Sequence, residues 1–236
     1  MAEKNKAGVE IFESPEALQE QLIKTEQFAR NNRRLVTGVG IGILLLVGGA
    51  IGWKYYSNQR NIKAQNELFP TVFYLEKDSI NKAIKGDNNN TTIGLEKIVS
   101  QYGDTEAGEL AAFYLGVERL KEGKYDEAIE LLEKYDANDW LIQARAYSLI
   151  GDAYMEKKDL DNAIKYYKKA SEHYPNDAFT PTYLLKLGLA YELKKDYANA
   201  LMAYRTIVDK HPEASEITTA QKKLAKVEYI VNSGNK

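Results

Sequence analysis

Apolar side chains follow three different patterns along the chain, and each predicts a different kind of helix. From Leu35 to Trp53 they run almost unbroken: no residue is charged, and Thr37 alone carries a polar side chain. A helix rises about 1.5 Å per residue, so this run spans roughly 28 Å, close to the thickness of a bilayer's hydrocarbon layer. It is expected to cross a membrane once. Beyond it, Phe69, Val72, Phe73, Ile80, Ala83 and Ile84 recur at helical spacing between Ile62 and Lys85. Pro70 is expected to kink or interrupt that helix, because it has no donor and its ring crowds the preceding turn. "GDNNNTT", Gly86 to Thr92, then breaks the pattern as a loop. It departs from a calcium loop, with Thr92 where glycine is required and Ile98 where the closing glutamate is required.

The third pattern is a repeat. "AYSLIGDAYMEKKDLDNAIKYYKKASEHYP" and "YLLKLGLAYELKKDYANALMAYRTIVDKHP" superimpose with a shift of 37 residues, and "AFYLGVERLKEGKYDEAIELLEKY" matches the former with a shift of 35. Tyr147, Ile150, Gly151, Tyr154, Ala163, Tyr167, Ala170 and Pro175 recur as Leu184, Leu187, Gly188, Tyr191, Ala200, Tyr204 and Pro212 at all but one of these positions. This spacing resembles the tetratricopeptide repeat, two antiparallel helices in about 34 residues. Glycine and alanine let the helices approach, large residues fill between them, and proline ends the pair. The unit from Glu109 keeps Leu115, Gly116 and Ala128 but has Arg119 where tyrosine is expected. A poorer unit near Leu75 keeps Gly94 and Ile98. From Ser215, the residues Ile217, Ala220, Leu224, Val227 and Ile230 predict a helix that caps the last apolar face.

The predicted fold is therefore all-α: a right-handed tetratricopeptide-repeat superhelix of three to four helical pairs plus a capping helix, tethered by one N-terminal transmembrane helix. Residues 1–34 are expected to form a cytoplasmic leader, partly helical from Ser14-Pro15-Glu16, and residues 35–53 the membrane span. Residues 54–108 hold the juxtamembrane helix and degenerate first repeat, 109–214 three repeats, and 215–236 the capping helix and tail. Arg30, Arg33 and Arg34 crowd one flank of the span while Lys54 stands alone beside the other, which places the N-terminus in the cytoplasm. Trp53, Tyr55 and Tyr56 suit the far interface. Gly38, Gly42, Gly49 and Gly52 share one side of the helix, a face on which another membrane helix can pack.

Composition narrows the chemistry. The net charge of -2 gives no electrostatic reason to expect nucleic acid. With no cysteine, disulfides and thiolate chemistry are excluded, and no phosphate-binding, zinc-protease or serine-hydrolase motif is present. His173 and His211 each precede a loop, and Asp126, Asp159, Asp161 and Asp196 read as turn and cap residues. The expectation is a binding protein without catalytic, cofactor or metal residues. Its groove would be lined by the first helix of each pair: Leu110, Phe113, Val117, Leu120 and Lys121, then Arg145, Ser148, Asp152, Met155 and Glu156, then Thr182, Leu185, Leu189, Glu192 and Leu193. The positions where related repeats clamp a C-terminal carboxylate hold Phe113, Val117, Leu149, Thr182 and Lys186 instead.

The leader, the anchor ending "GGAIGWKYYSNQRNIKAQ" and the unit opening "GELAAFYLGVERLKEGKYDEAIELLEK" together resemble the ancillary (YfgM-like) subunit family of the bacterial SecYEG translocon. That resemblance implies a single-pass protein of the bacterial inner membrane with a cytoplasmic N-terminus and a periplasmic repeat domain. It implies SecYEG, a membrane-anchored periplasmic chaperone of the peptidyl-prolyl isomerase type, and emerging unfolded clients as partners. The leader is longer and the repeats from Tyr147 to Pro212 are closer to consensus than that family's. This departure keeps open a scaffold for envelope assembly or cell division. An organelle import receptor is disfavoured by the absent carboxylate clamp and the arginine flank.

Overall fold

The computed structural model describes residues 15–87, 89, 91–137 and 139–234, so Ser14, the start of the leader and the last two residues of the tail lie outside the described residues. The described residues are helical with no strand; Gly86 and Ile93 form one isolated bridge. The chain divides into two units, Met1–Asn58 and Gln59–Lys236.

The first unit holds α1 (Pro15–Asn31) and the beginning of α2 (Arg33–Glu76). The leader's apolar residues find no core: Leu22 and Phe28 are exposed, and α1 instead carries i,i+4 ion pairs such as Arg30 with Glu26 at 2.8 Å. The most apolar window of α2 has a mean hydropathy of 2.2 and no buried residue, so α2 is long and apolar enough to cross a membrane.

In the second unit Pro70 does not interrupt its helix, which runs on to Glu76. Packing overrides the local preference. Ala64, Leu68 and Thr71 are buried along one face, and the Thr71 hydroxyl reaches both the Glu67 carbonyl at 2.9 Å and the Ile93 carbonyl at 2.7 Å. The break comes instead at Asp78, whose φ of 53° turns the chain into the short α3 (Ile80–Lys85). Gly94 caps α4 (Leu95–Tyr102) at its N-terminus. The Asp87 carboxylate closes the intervening loop by accepting from the Thr91 amide at 2.8 Å.

Three helical pairs follow: α5 (Glu106–Lys121) with α6 (Tyr125–Glu133), α7 (Ile142–Glu156) with α8 (Leu160–Glu172), and α9 (Thr180–Leu193) with α10 (Tyr197–Lys210). Each pair turns through one left-handed residue, Gly123, Lys158 or Lys195. The helices approach where the sequence predicts. A Cβ on Gly151 would press into the Tyr167 ring, one on Gly188 into the Tyr204 ring, and Ala163 and Ala200 are fully buried. Arg119 occupies the expected tyrosine position by another device. Its side chain, 10% exposed, pairs with Glu96 of α4, with Glu122 at 2.9 Å and with Glu127 of α6 at 3.0 Å.

Successive units are joined by contacts that recur about one repeat apart. Asp159 and Asp196 cap α8 and α10, accepting from the Asn162 and Asn199 amides. Asp126 and Asp161 do not cap: they sit in the first helical turn and pair with Lys157 and Lys194 of the following unit. The histidines link loops, His173 Nε2 standing 2.7 Å from the Asp139 carbonyl and His211 Nδ1 2.5 Å from Asp177. The last helix, α11 (Ile217–Gly234), buries Ala220 and Val227 on the final pair and sends Lys223 and Lys226 to Glu192 at 3.1 and 2.6 Å.

Burial pushes the Glu192 carboxyl up, but hydrogen bonds from Lys226, Tyr204 and Lys223 outweigh it and hold the group below its ordinary value near 4.5. A depressed folded-state pKa gives stabilisation that is complete above the unfolded value and is lost as the pH falls through the folded one. Acid titration from pH 6 to pH 3, followed by hydrogen exchange in α11, is therefore expected to release that helix below about pH 4.5 in the wild type. Glu192→Gln should flatten the dependence. An unchanged profile in that variant would show that other carboxylates govern it.

Candidate functional site

The first helices α5, α7 and α9 carry the residues expected to line a groove, and burial sorts them into three groups. Leu189 and Leu193 are 40% and 55% exposed, and Arg145 is exposed too. Leu110, Val117, Leu120, Met155 and Leu185 are half-buried. Phe113 and Ser148 are buried.

Phe113 departs from the expected surface role. Its ring is 5% exposed and contacts Tyr114 and Tyr135, each at 5.7 Å between centroids, in a core shared with Ile129, Leu132, Ala146 and Ile150. The repeat places this position towards the groove, but the aromatic Tyr135 after α6 covers it. Phe113 holds the first two units together and has no face left for a partner.

Five of the expected residues, Leu120, Asp152, Met155, Glu156 and Leu189, come together. Leu120, Met155 and Leu189, one from each first helix, line a cavity of about 550 Å³ with Tyr125, Asp152, Glu156, Tyr167 and Lys186. The polar middle of this surface is internally paired. Lys186 Nζ lies 2.7 and 2.9 Å from the two Asp152 carboxylate oxygens and 3.2 Å from the Ser148 hydroxyl, and the Tyr167 hydroxyl donates to Asp152 at 2.7 Å. Desolvation, with the Asp152 charge beside it, pushes the Tyr167 phenol well above its ordinary range, so it stays a donor. Lys186 is thus engaged within the fold, and the surface open to a partner is the apolar rim around a neutralised centre. Tyr125 was not legible as a lining residue: it opens a second helix, and only the turn at Gly123 swings it to this side.

Leu110 stands apart from that cavity. It lines a smaller one of about 260 Å³ with Leu68, Phe69, Val72, Phe73 and Tyr114, where Phe69 is 80% exposed. Sequence spacing marked Phe69 and Phe73 as apolar but gave no reason to separate them from the core. Around Gly38, Gly42, Gly49 and Gly52 an added Cβ would meet no atom within 4 Å. Among the described residues no cluster of histidine, aspartate and glutamate is arranged to hold a metal ion.

The tetratricopeptide-repeat family matches residues 142–210, the stretch from α7 to the end of α10. No curated protein matches the chain. Repeats of this kind are protein–protein interaction modules, and the cavity of Leu120, Met155 and Leu189 is partly built from the matched stretch.

Proposed function

We propose that the protein is a non-enzymatic binding module of the bacterial inner membrane, anchored by α2 with its repeats in the periplasm, where it works beside the SecYEG translocon. Its partners in this reading are a membrane-anchored periplasmic chaperone of the peptidyl-prolyl isomerase type and the apolar segments of proteins leaving the channel. The carrying observation is the row Leu120, Met155 and Leu189 across three consecutive first helices, with the exposed Leu193 one turn beyond Leu189 on α9. The arginine flank of the apolar run and the resemblance of the anchor and first full unit support the location. The glycine side of α2 is the surface assigned to another membrane helix.

An apolar strip with an internally satisfied centre demands little of its ligand's sequence. Burying each side chain contributes roughly 1.5–3 kcal/mol before ordering costs, so a few together hold a client only moderately and release it quickly. A photo-crosslinking residue at Leu193, in intact cells, is expected to capture translocon subunits, the chaperone and emerging chains. Changing Leu189 to serine should weaken that capture with the helical circular dichroism intact, since the side chain is 40% exposed. Undiminished capture in the variant would move the binding surface elsewhere.

A further inference from the structure

The second helices leave an opening of a different kind. Between α6 and α8 the interval holds Tyr166, a residue 8% exposed whose ring stacks on Tyr154 at 5.6 Å and whose hydroxyl donates to Glu133, beside a cavity of about 370 Å³ lined by Glu133, Tyr147 and Ile150. Shifting by 37 residues puts Ala203 of α10 in the place of Tyr166, Tyr191 in that of Tyr154, and Leu184 and Leu187 in those of Tyr147 and Ile150. Shifting by 35 puts Lys168 in the place of Glu133. The place that a tyrosine ring takes in one interval is therefore vacated in the next, and the opening there is the larger of the two. Leu184, Leu187, Tyr191 and Ala203 line a cleft of about 450 Å³ there, bordered by Met202, which is 64% exposed.

The exchange of Glu133 for Lys168 also reverses the charge at the cleft's polar end. Lys168 has its nearest carboxylate, Glu172, at 3.8 Å on the same rim, and Lys210, also on the rim, has no ion pair among the described residues, so the two lysines outnumber the one acid there. His211, also on the rim, is held by Asp177 at 2.5 Å. We infer that this cleft receives an aromatic side chain from a partner protein, in a segment where tyrosine or phenylalanine is followed by a carboxylate. The chain's own Tyr166 shows the shape that fits between adjacent second helices. The two lysines select the acid, where Glu133 accepts a phenol hydroxyl in the preceding interval. The cleft shares no lining residue with the cavity of Leu120, Met155 and Leu189, so this surface is independent of the one proposed above.

The test uses the full chain in detergent micelles with carbon-13-labelled methyl groups, titrated with a capped tetrapeptide, glycine-tyrosine-glutamate-glycine. Saturable shifts are expected at Leu184, Leu187 and Met202, about threefold weaker when glutamine replaces the glutamate and absent when alanine replaces the tyrosine. Ala203→Tyr should place a ring of the chain's own in the cleft, where Tyr166 stands one unit earlier, and abolish the shifts. In Lys168→Glu/Lys210→Glu, which alters exposed rim charges only, the glutamine peptide should bind better than the glutamate one. Absence of saturable shifts in the wild type, or an unaltered preference in the double variant, would overturn the inference. So would methyl shifts that depend on protein concentration without peptide, which would assign the cleft to a second copy of this chain.

Discussion

Phe113→Ser is expected to destabilise the repeat domain by about 3–5 kcal/mol, the cost of emptying a buried aromatic site. The ring is 5% exposed and bridges α5 to Tyr135 and to Ala146 and Ile150 of the next pair, so its loss opens a cavity between two units that no flexible side chain can refill. A hydroxyl left there would lack an acceptor in an apolar core. In a chain spanning Gln59–Lys236 the midpoint of thermal unfolding should fall by roughly 10 °C. Hydrogen exchange should rise first in α5 and α6, because each unit of such an array contacts only its neighbours. A wild-type melting temperature would return Phe113 to the surface and make the groove wider than described.

Gly188→Val is expected to cost about 2–3 kcal/mol by overpacking. The opposing Tyr204 ring has nowhere to retreat: it is fully buried, and its hydroxyl donates to Glu192 at 2.7 Å. Gly116→Val provides the contrast. There the atoms nearest an added Cβ, the Leu132 Cγ at 2.8 Å and Cδ2 at 3.1 Å, lie farther off than the Tyr204 ring does at Gly188, and no hydrogen bond ties the equally buried leucine in place, so the same substitution should cost less. Urea unfolding of both variants separates them, and equal costs would mean that the tyrosine yields as readily as the leucine.

The pairing of helices was readable because its determinants are local. Gly151 and Tyr167, or Gly188 and Tyr204, belong to one repeat unit, and their spacing recurs. What was not readable depended on distant residues. Pro70 stays inside its helix because Ala64, Leu68 and Thr71 are packed and Thr71 reaches Ile93 across the following loop. Arg119 replaces a tyrosine only because Glu96, Glu122 and Glu127 converge on it from three segments. The groove followed the same division. Its repeat positions named Leu120, Met155 and Leu189, which line one cavity, but they could not foresee that Tyr135 hides Phe113 or that Lys186 and Asp152 neutralise each other.

The tie between α11 and Glu192 marks where the repeat period stops. Lys186 reaches back to Asp152 from the first helix of the last pair, and Lys226 reaches back to Glu192 across the same sequence interval, so α11 stands where the first helix of a further unit would begin. At the place of Gly188, 37 residues on, α11 carries Ala225, whose side chain would meet the ring of any tyrosine packed there as Tyr204 packs on α9, so α11 covers the final pair without offering a template for another second helix.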